Sequence, residues 1–355
     1  MKKHNFSAGP CILPQEVLQQ ASQAVVNFNN SNLSLIEISH RSADFVEVME
    51  TAQSLALEHL GLENKGYKAL FLQGGASLEF LMVAYNLLEN KAAYLNTGTW
   101  SSKAIKEAKL FGELVEVASS KDANFNYIPK GYSVPSNIDY FHCTSNNTIF
   151  GTQMNSFPKT EAPLVCDMSS DIFSRNLDFR QFDLIYAGAQ KNMGPAGTTL
   201  VIIKEEILGN VDRTIPSMLD YKVHIGKDSM FNTPSVFAVY VSMLTLRWLK
   251  DKGGVTELEK INNQKAQLLY NEIDRNPLFK GFVAKAEDRS KMNATFNLVE
   301  GSNTDLFNTM WKEAGINGLN GHRSVGGFRA SMYNALPLES VQVLVDVMKE
   351  FERKA

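Results

Sequence analysis

The chain has 355 residues, a length suited to one large domain with a smaller one attached rather than to a single core. Hydrophobic residues make up 44% and charged residues 21%, and a formal net charge of -3 supplies no broad cationic field for nucleic acid. Cys11, Cys143 and Cys166 are scattered, with no Cys-x-x-Cys pair or histidines at metal spacing, which argues against a disulfide framework or a metal site. The opening MKKHNFSAGPCILP has no apolar run of signal-peptide length and nothing later approaches a membrane span, so the expectation is a cytoplasmic protein without a membrane partner.

Strand-like and helix-like segments alternate through the first two-thirds. KALFL at 68–72 reads as a buried strand, followed by Gly74-Gly75 and a helix whose Leu78, Leu81, Met82, Tyr85 and Leu88 share one face. AAYLN at 92–96 is a second strand, with a helix expected over 101–111. Further strands are expected at 137–143, 162–166, 183–187 and 198–203. This alternation predicts an α/β fold, a mostly parallel sheet flanked by helices. The connection between the last two strands is too short for a parallel crossover, so that pair is expected to be antiparallel and the sheet mixed. From Pro234 a helix runs to Asp251, a polar helix covers 256–275, and strands near 281–285, 293–299 and 326–333 alternate with helices at 304–314 and from 337. The expected division is a large domain at 1–255 and a small α+β domain at 256–355, with the N-terminal arm free to pack on the latter.

Sheets of this kind bind ligands at the carboxyl ends of their strands. Gly74-Gly75-Ala76-Ser77 stands between a strand and a helix, where free N–H groups favour a phosphate; a tight turn capped by Ser77 is the plainer alternative. Asp167 follows APLVC, as a helix N-cap or as the counter-ion of a protonated ring nitrogen. Lys191 sits in AGAQKNMGPAGTT; a lysine in such a turn is ordinarily solvated, but the small residues around it leave room for a planar ligand. Asp167 and Lys191 emerge from successive strands on one edge, as a Schiff-base lysine and its partner would.

D-M-S-S at 167–170 with Y-A-G-A-Q-K-N-M-G-P-A-G around Lys191 resembles the class V aminotransferases, pyridoxal-phosphate (PLP) enzymes of fold type I. N-F-S-A-G-P (5–10), I-S-H-R (38–41), Q-G-G-A-S (73–77), N-T-G-x-W (96–100), F-N-T-P (231–234) and G-H-R-S-V-G-G-F-R-A-S (321–331) carry the resemblance along nearly the whole chain, closest to the branch acting on phosphoserine. The resemblance implies pyridoxal 5'-phosphate held covalently by Lys191, Asp167 on the ring nitrogen, Trp100 stacked on the ring and Thr148 at the ring hydroxyl. It implies Ala76, Ser77 and Gln190 at the cofactor phosphate, completed by Asn232 and Thr233 from the second subunit of a homodimer. His40, Arg41, His322 and Arg323, which by themselves look like surface pairs, would converge on the far end of the substrate, and Arg329 would take the α-carboxylate. The implied reaction joins phosphoserine to 2-oxoglutarate, and 3-phosphohydroxypyruvate to glutamate, in serine biosynthesis, with phosphohydroxythreonine in pyridoxine biosynthesis as a second donor. Ala76-Ser77 stand where some relatives carry an arginine. A cysteine desulfurase, an alanine-type aminotransferase and a non-catalytic module on the same fold are the alternatives.

Overall fold

The computed structural model describes residues 3–354. Its centre is a seven-stranded sheet built from Tyr67–Leu72 (β1), Lys91–Asn96 (β2), Glu113–Ser119 (β3), Phe141–Thr144 (β4), Leu164–Asp167 (β5), Leu184–Gly188 (β6) and Thr199–Lys204 (β7). Their spatial order is β1-β7-β6-β5-β4-β2-β3. β7 runs antiparallel to both neighbours, and the other pairings are parallel. The mixed sheet expected from the short β6–β7 connection is therefore found. Thr199 faces Gly188 on one side and Leu72 on the other, so β7 begins at the edge where β1 and β6 end.

The inner strands are buried on both faces, which is why they read as continuous apolar runs. β3 is the exception. As a half-exposed edge strand it interleaves Glu113 and Glu116 with apolar residues, and it escapes a search for such runs. Helices Ala43–Leu60, Gly75–Leu87, Thr99–Ala108 and Val236–Asp251 cover the sheet. The helix expected from Pro234 begins at Val236, with Ser235 as its cap residue.

A second apolar core lies under a three-stranded antiparallel sheet, Phe279–Gly281 (β8), Asn293–Leu298 (β9) and Phe328–Ser331 (β10), with helices Thr304–Glu313 and Leu338–Lys354. The helix Gly254–Arg275 starts against the first core with Val255 and Leu258 and ends in the second with Ala266, Leu269 and Ile273. Phe6 and Ile12 of the N-terminal arm belong to the second core, where His4–Asn5 pairs in parallel with Ile316–Asn317. Among the described residues no helix is long and apolar enough to cross a membrane.

Candidate active site

The carboxyl ends of β1, β2, β4, β5 and β6 share one edge of the sheet, and a cavity of about 340 Å³ opens there. Asp167 closes β5 and lines it. Its carboxylate is buried and accepts a bond from the Ser169 N–H at 2.9 Å. Burial pushes this carboxyl above the usual range, and the Lys191 charge and the Ser169 bonds pull it back. No side chain among the described residues makes an ion pair with it, and the segment after it is a turn, so the helix-cap reading fails.

Lys191 lies in the turn between β6 and β7. Burial pulls its ammonium below the ordinary lysine range, Asp167 opposes this, and Arg329 adds to it. Its Nζ is 5.4 Å from the centre of the Trp100 ring. The N-terminal arm lies across this turn: the Cys11 N–H donates to the Gln190 carbonyl at 3.1 Å. A Cβ on Gly9, whose φ is +146°, would stand 3.4 Å from Lys191 Cγ.

Trp100 is placed by the helix Thr99–Ala108 and donates from Nε1 to Thr148 Oγ1 at 3.1 Å. Thr148 also offers its carbonyl to Arg329 Nη1 at 2.9 Å. One buried residue thus ties the aromatic wall to the guanidinium on β10. Arg329 Nε is buried with no partner, leaving a donor for an incoming acceptor. Across the cavity the helix Gly75–Leu87 presents Gly75, Ala76 and Ser77, and Gln190 lines the same space. Gly74 is its N-cap in the left-handed region (φ +102°), where a Cβ would stand 2.4 Å from Leu78, so glycine is required there. Ser77 is not the cap; its N–H and hydroxyl belong to the first turn, where the helix dipole favours an anion.

Lys191, Asp167, Trp100, Thr148, Ala76, Ser77, Gln190, His322 and Arg329 thus line one cavity. His40, Arg41, Arg323, Asn232 and Thr233 do not line it within this chain. Arg41 and Arg323 are exposed, and the Thr233 carbonyl accepts from Gln73 Nε2 at 2.6 Å. His40 departs from the surface pair that local sequence suggests, being buried with Nε2 unpartnered. Sequence reasoning gave no site role to Ser169, whose Oγ accepts from the Gly188 N–H at 3.2 Å, or to Lys103, whose Nζ lies 4.7 Å from the Trp100 ring. Lys103 stands three residues past Trp100 on one helix, a spacing that puts both on one face. Burial, and then Arg329, Arg323 and Lys103, hold the His322 imidazolium below its usual range, marking a site short of negative charge.

These donors fit pyridoxal phosphate. A desolvated amine stands beside an aromatic face, a buried carboxylate makes no ion pair among the described residues, and a helix N-terminus opens onto the same cavity. Residues 3–344 match the Aminotransferase class-V family. A phosphoserine aminotransferase of Flavobacterium psychrophilum is 71% identical, the match covering 100% of both chains. A solved phosphoserine aminotransferase with radiation damage of its Schiff base aligns with a TM-score of 0.95 at 46% identity over 100% of each chain. The PLP-bound phosphoserine aminotransferase of Trichomonas vaginalis aligns at 0.93 and 37% identity, over 98% of this chain and 100% of that one.

Proposed function

The chain belongs to the class-V aminotransferase family, and from that premise we propose that it is a PLP-dependent phosphoserine aminotransferase of serine biosynthesis. It transfers an amino group reversibly between O-phospho-L-serine and 2-oxoglutarate. The observation that carries this reading is the meeting of Lys191, Asp167, Trp100 and Arg329 on one cavity.

When bound, pyridoxal phosphate supplies an electron-accepting ring that makes a proton on the substrate α-carbon removable. Lys191 would hold the cofactor, and its Nζ would move that proton; burial lowers the ammonium pKa, which favours the neutral amine that such a role needs. Asp167 would keep the ring nitrogen protonated. Trp100 would cover the ring face, and Thr148, whose hydroxyl already accepts from Trp100, has its own O–H left that would serve the ring hydroxyl. Ala76, Ser77 and Gln190 take the phosphate, joined by Asn232 and Thr233 of the second subunit in a homodimer. Arg329 grips the α-carboxylate, while His322 and Arg323 with His40 and Arg41 hold the distal phosphate or carboxylate. Support for the dimer comes from Ile36, 61% exposed, with Phe231 and Phe237 also exposed, and from the unpartnered His40. We place the domain division at residue 255, supported by the two separate apolar cores, and the enzyme in the cytoplasm.

A desulfurase reading needs a reactive thiol in the cavity. Cys143 and Cys166 are buried in strands, and Cys11 lies outside the cavity, its thiol pushed up to about 12 by burial and given to the Lys191 carbonyl. Lys191→Ala is expected to lose the borohydride-reducible chromophore together with transamination, and retained turnover defeats the assignment. Among donors, phosphoserine and phosphohydroxythreonine should outrun alanine in a coupled assay; alanine equal to phosphoserine refutes the anion site.

A further inference from the structure

In the turn after Asp167, the carbonyls of Ile172, Phe173 and Ser174 follow one another. Each is taken by an asparagine carboxamide from a different part of the chain. Asn192 Nδ2 donates to Ile172 O at 2.5 Å, Asn334 Nδ2 to Phe173 O at 2.9 Å, and Asn262 Nδ2 to Ser174 O at 3.0 Å. The asparagines are also bonded to one another. The Asn334 N–H donates to Asn192 Oδ1 at 2.9 Å, and Asn262 Nδ2 donates to Asn334 Oδ1 at 2.8 Å. All three are buried. The turn they hold includes Phe173 at φ +60°, a left-handed conformation that a bulky residue adopts only when its surroundings impose it.

The origins of the three are what matter for chemistry. Asn192 is the neighbour of Lys191, Asn334 lies just beyond the strand that carries Arg329, and Asn262 stands on the helix Gly254–Arg275. The cluster therefore joins the three segments that bear Asp167, Lys191 and Arg329. An apolar trio would pack there without fixing register, whereas carboxamides bonded in one pattern admit a single arrangement. The segment after Arg329 is pinned further, since Lys265 Nζ donates to the carbonyls of Met332 at 3.0 Å, Tyr333 at 2.8 Å and Leu336 at 3.2 Å.

We propose that Asn192 and Asn334 are positioning residues. Asn192 sets Lys191, and Asn334 sets Arg329, against the Asp167 turn, with Asn262 anchoring the cluster. The proposal rests on the transaminase reading, which the wild-type holoenzyme tests separately through its visible absorbance and turnover. Asn192→Ala acts on the lysine and Asn334→Ala on the carboxylate site, so their kinetic signatures differ. In the holoenzyme Asn192→Ala should lower kcat roughly tenfold and move the pH midpoint of the cofactor absorbance by about half a unit, with KM little changed. Asn334→Ala should raise KM for phosphoserine and glutamate roughly fivefold and leave that midpoint in place. Asn262→Ala should lower Tm as much as either while holding kcat, KM and midpoint within about twofold of wild type. A purely structural cluster predicts the opposite, namely kinetic losses in all three that rank with the loss of Tm. That ranking, or a folded Asn192→Ala with wild-type kcat and midpoint, overturns the proposal. Should Asn192→Ala not accumulate folded, Asn192→Ser, which shortens the side chain but keeps an oxygen, is read by the same criteria.

Discussion

Replacing Glu79 by glutamine isolates an electrostatic cost buried in the helix Gly75–Leu87. Glu79 lies on the helix Gly75–Leu87 with 0% exposure. Its Oε2 accepts from the Tyr221 hydroxyl at 2.5 Å, and its Oε1 has no partner. Burial lifts the carboxyl from 4.5 to about 7, with the Tyr221 bond opposing. A pKa raised on folding means that the folded state holds the proton more tightly. The associated stability is full below pH 4.5, declines as pH rises from there, and is gone above about 7. The whole effect corresponds to about 3 kcal/mol, of which about 2 kcal/mol falls between pH 5.5 and 8.5. Glutamine keeps an acceptor for Tyr221 but cannot ionise, so any fixed packing cost is the same at both pH values. For a chain of 355 residues the unfolding entropy converts 1 kcal/mol into about 1.3 °C. Thermal melts of holoenzyme at pH 5.5 and 8.5 should therefore show the Glu79→Gln Tm gaining about 3 °C on wild type over that interval. Parallel pH profiles would refute the reasoning, because they would mean Glu79 carries no titratable penalty in the fold.

Three further outcomes follow from the same geometry. Lys265→Met strands three buried carbonyls that the lysine now satisfies, and should cost about 3 kcal/mol or more in denaturant unfolding; unchanged stability refutes the role. An anion bound beside His322 should raise its depressed pKa, so KM for glutamate should fall as pH drops towards and below 6.5, and His322→Gln should flatten that dependence; a slope retained in the variant assigns it elsewhere. Gly74→Ala forces a Cβ into Leu78 at a left-handed position, and should weaken cofactor binding about tenfold in a spectroscopic titration; undiminished affinity would mean the turn relaxes at no cost.

Much of this site could be read from the chain because its leading residues stand at predictable places. Asp167 and Lys191 follow apolar runs that can only be inner strands, and the short β6–β7 connection settles how those strands run. The apolar signal fails where burial is partial. β3, at the sheet edge, mixes two glutamates with its apolar residues, and Thr233-Pro234 resembles a helix start although Ser235 occupies that place. His40 shows the same weakness in reverse: next to an exposed arginine it looks solvated, yet it is buried.

What no local pattern carried is the support behind the reacting groups. Asn192, Asn262 and Asn334 lie far apart in the chain, and each taken singly is an unremarkable polar residue in a loop or on a helix. Their meaning depends on partners that only the folded chain brings together, because a buried carboxamide N–H is costly unless an acceptor meets it. Residues that touch the reacting molecules announce themselves by type and by position at strand ends. Residues that hold those groups in register share their types with ordinary surface positions. The asymmetry has a physical source: catalysis requires particular chemistry at the cavity, whereas positioning requires only that some donor meet some acceptor, a condition that many residue types meet once the backbone is in place.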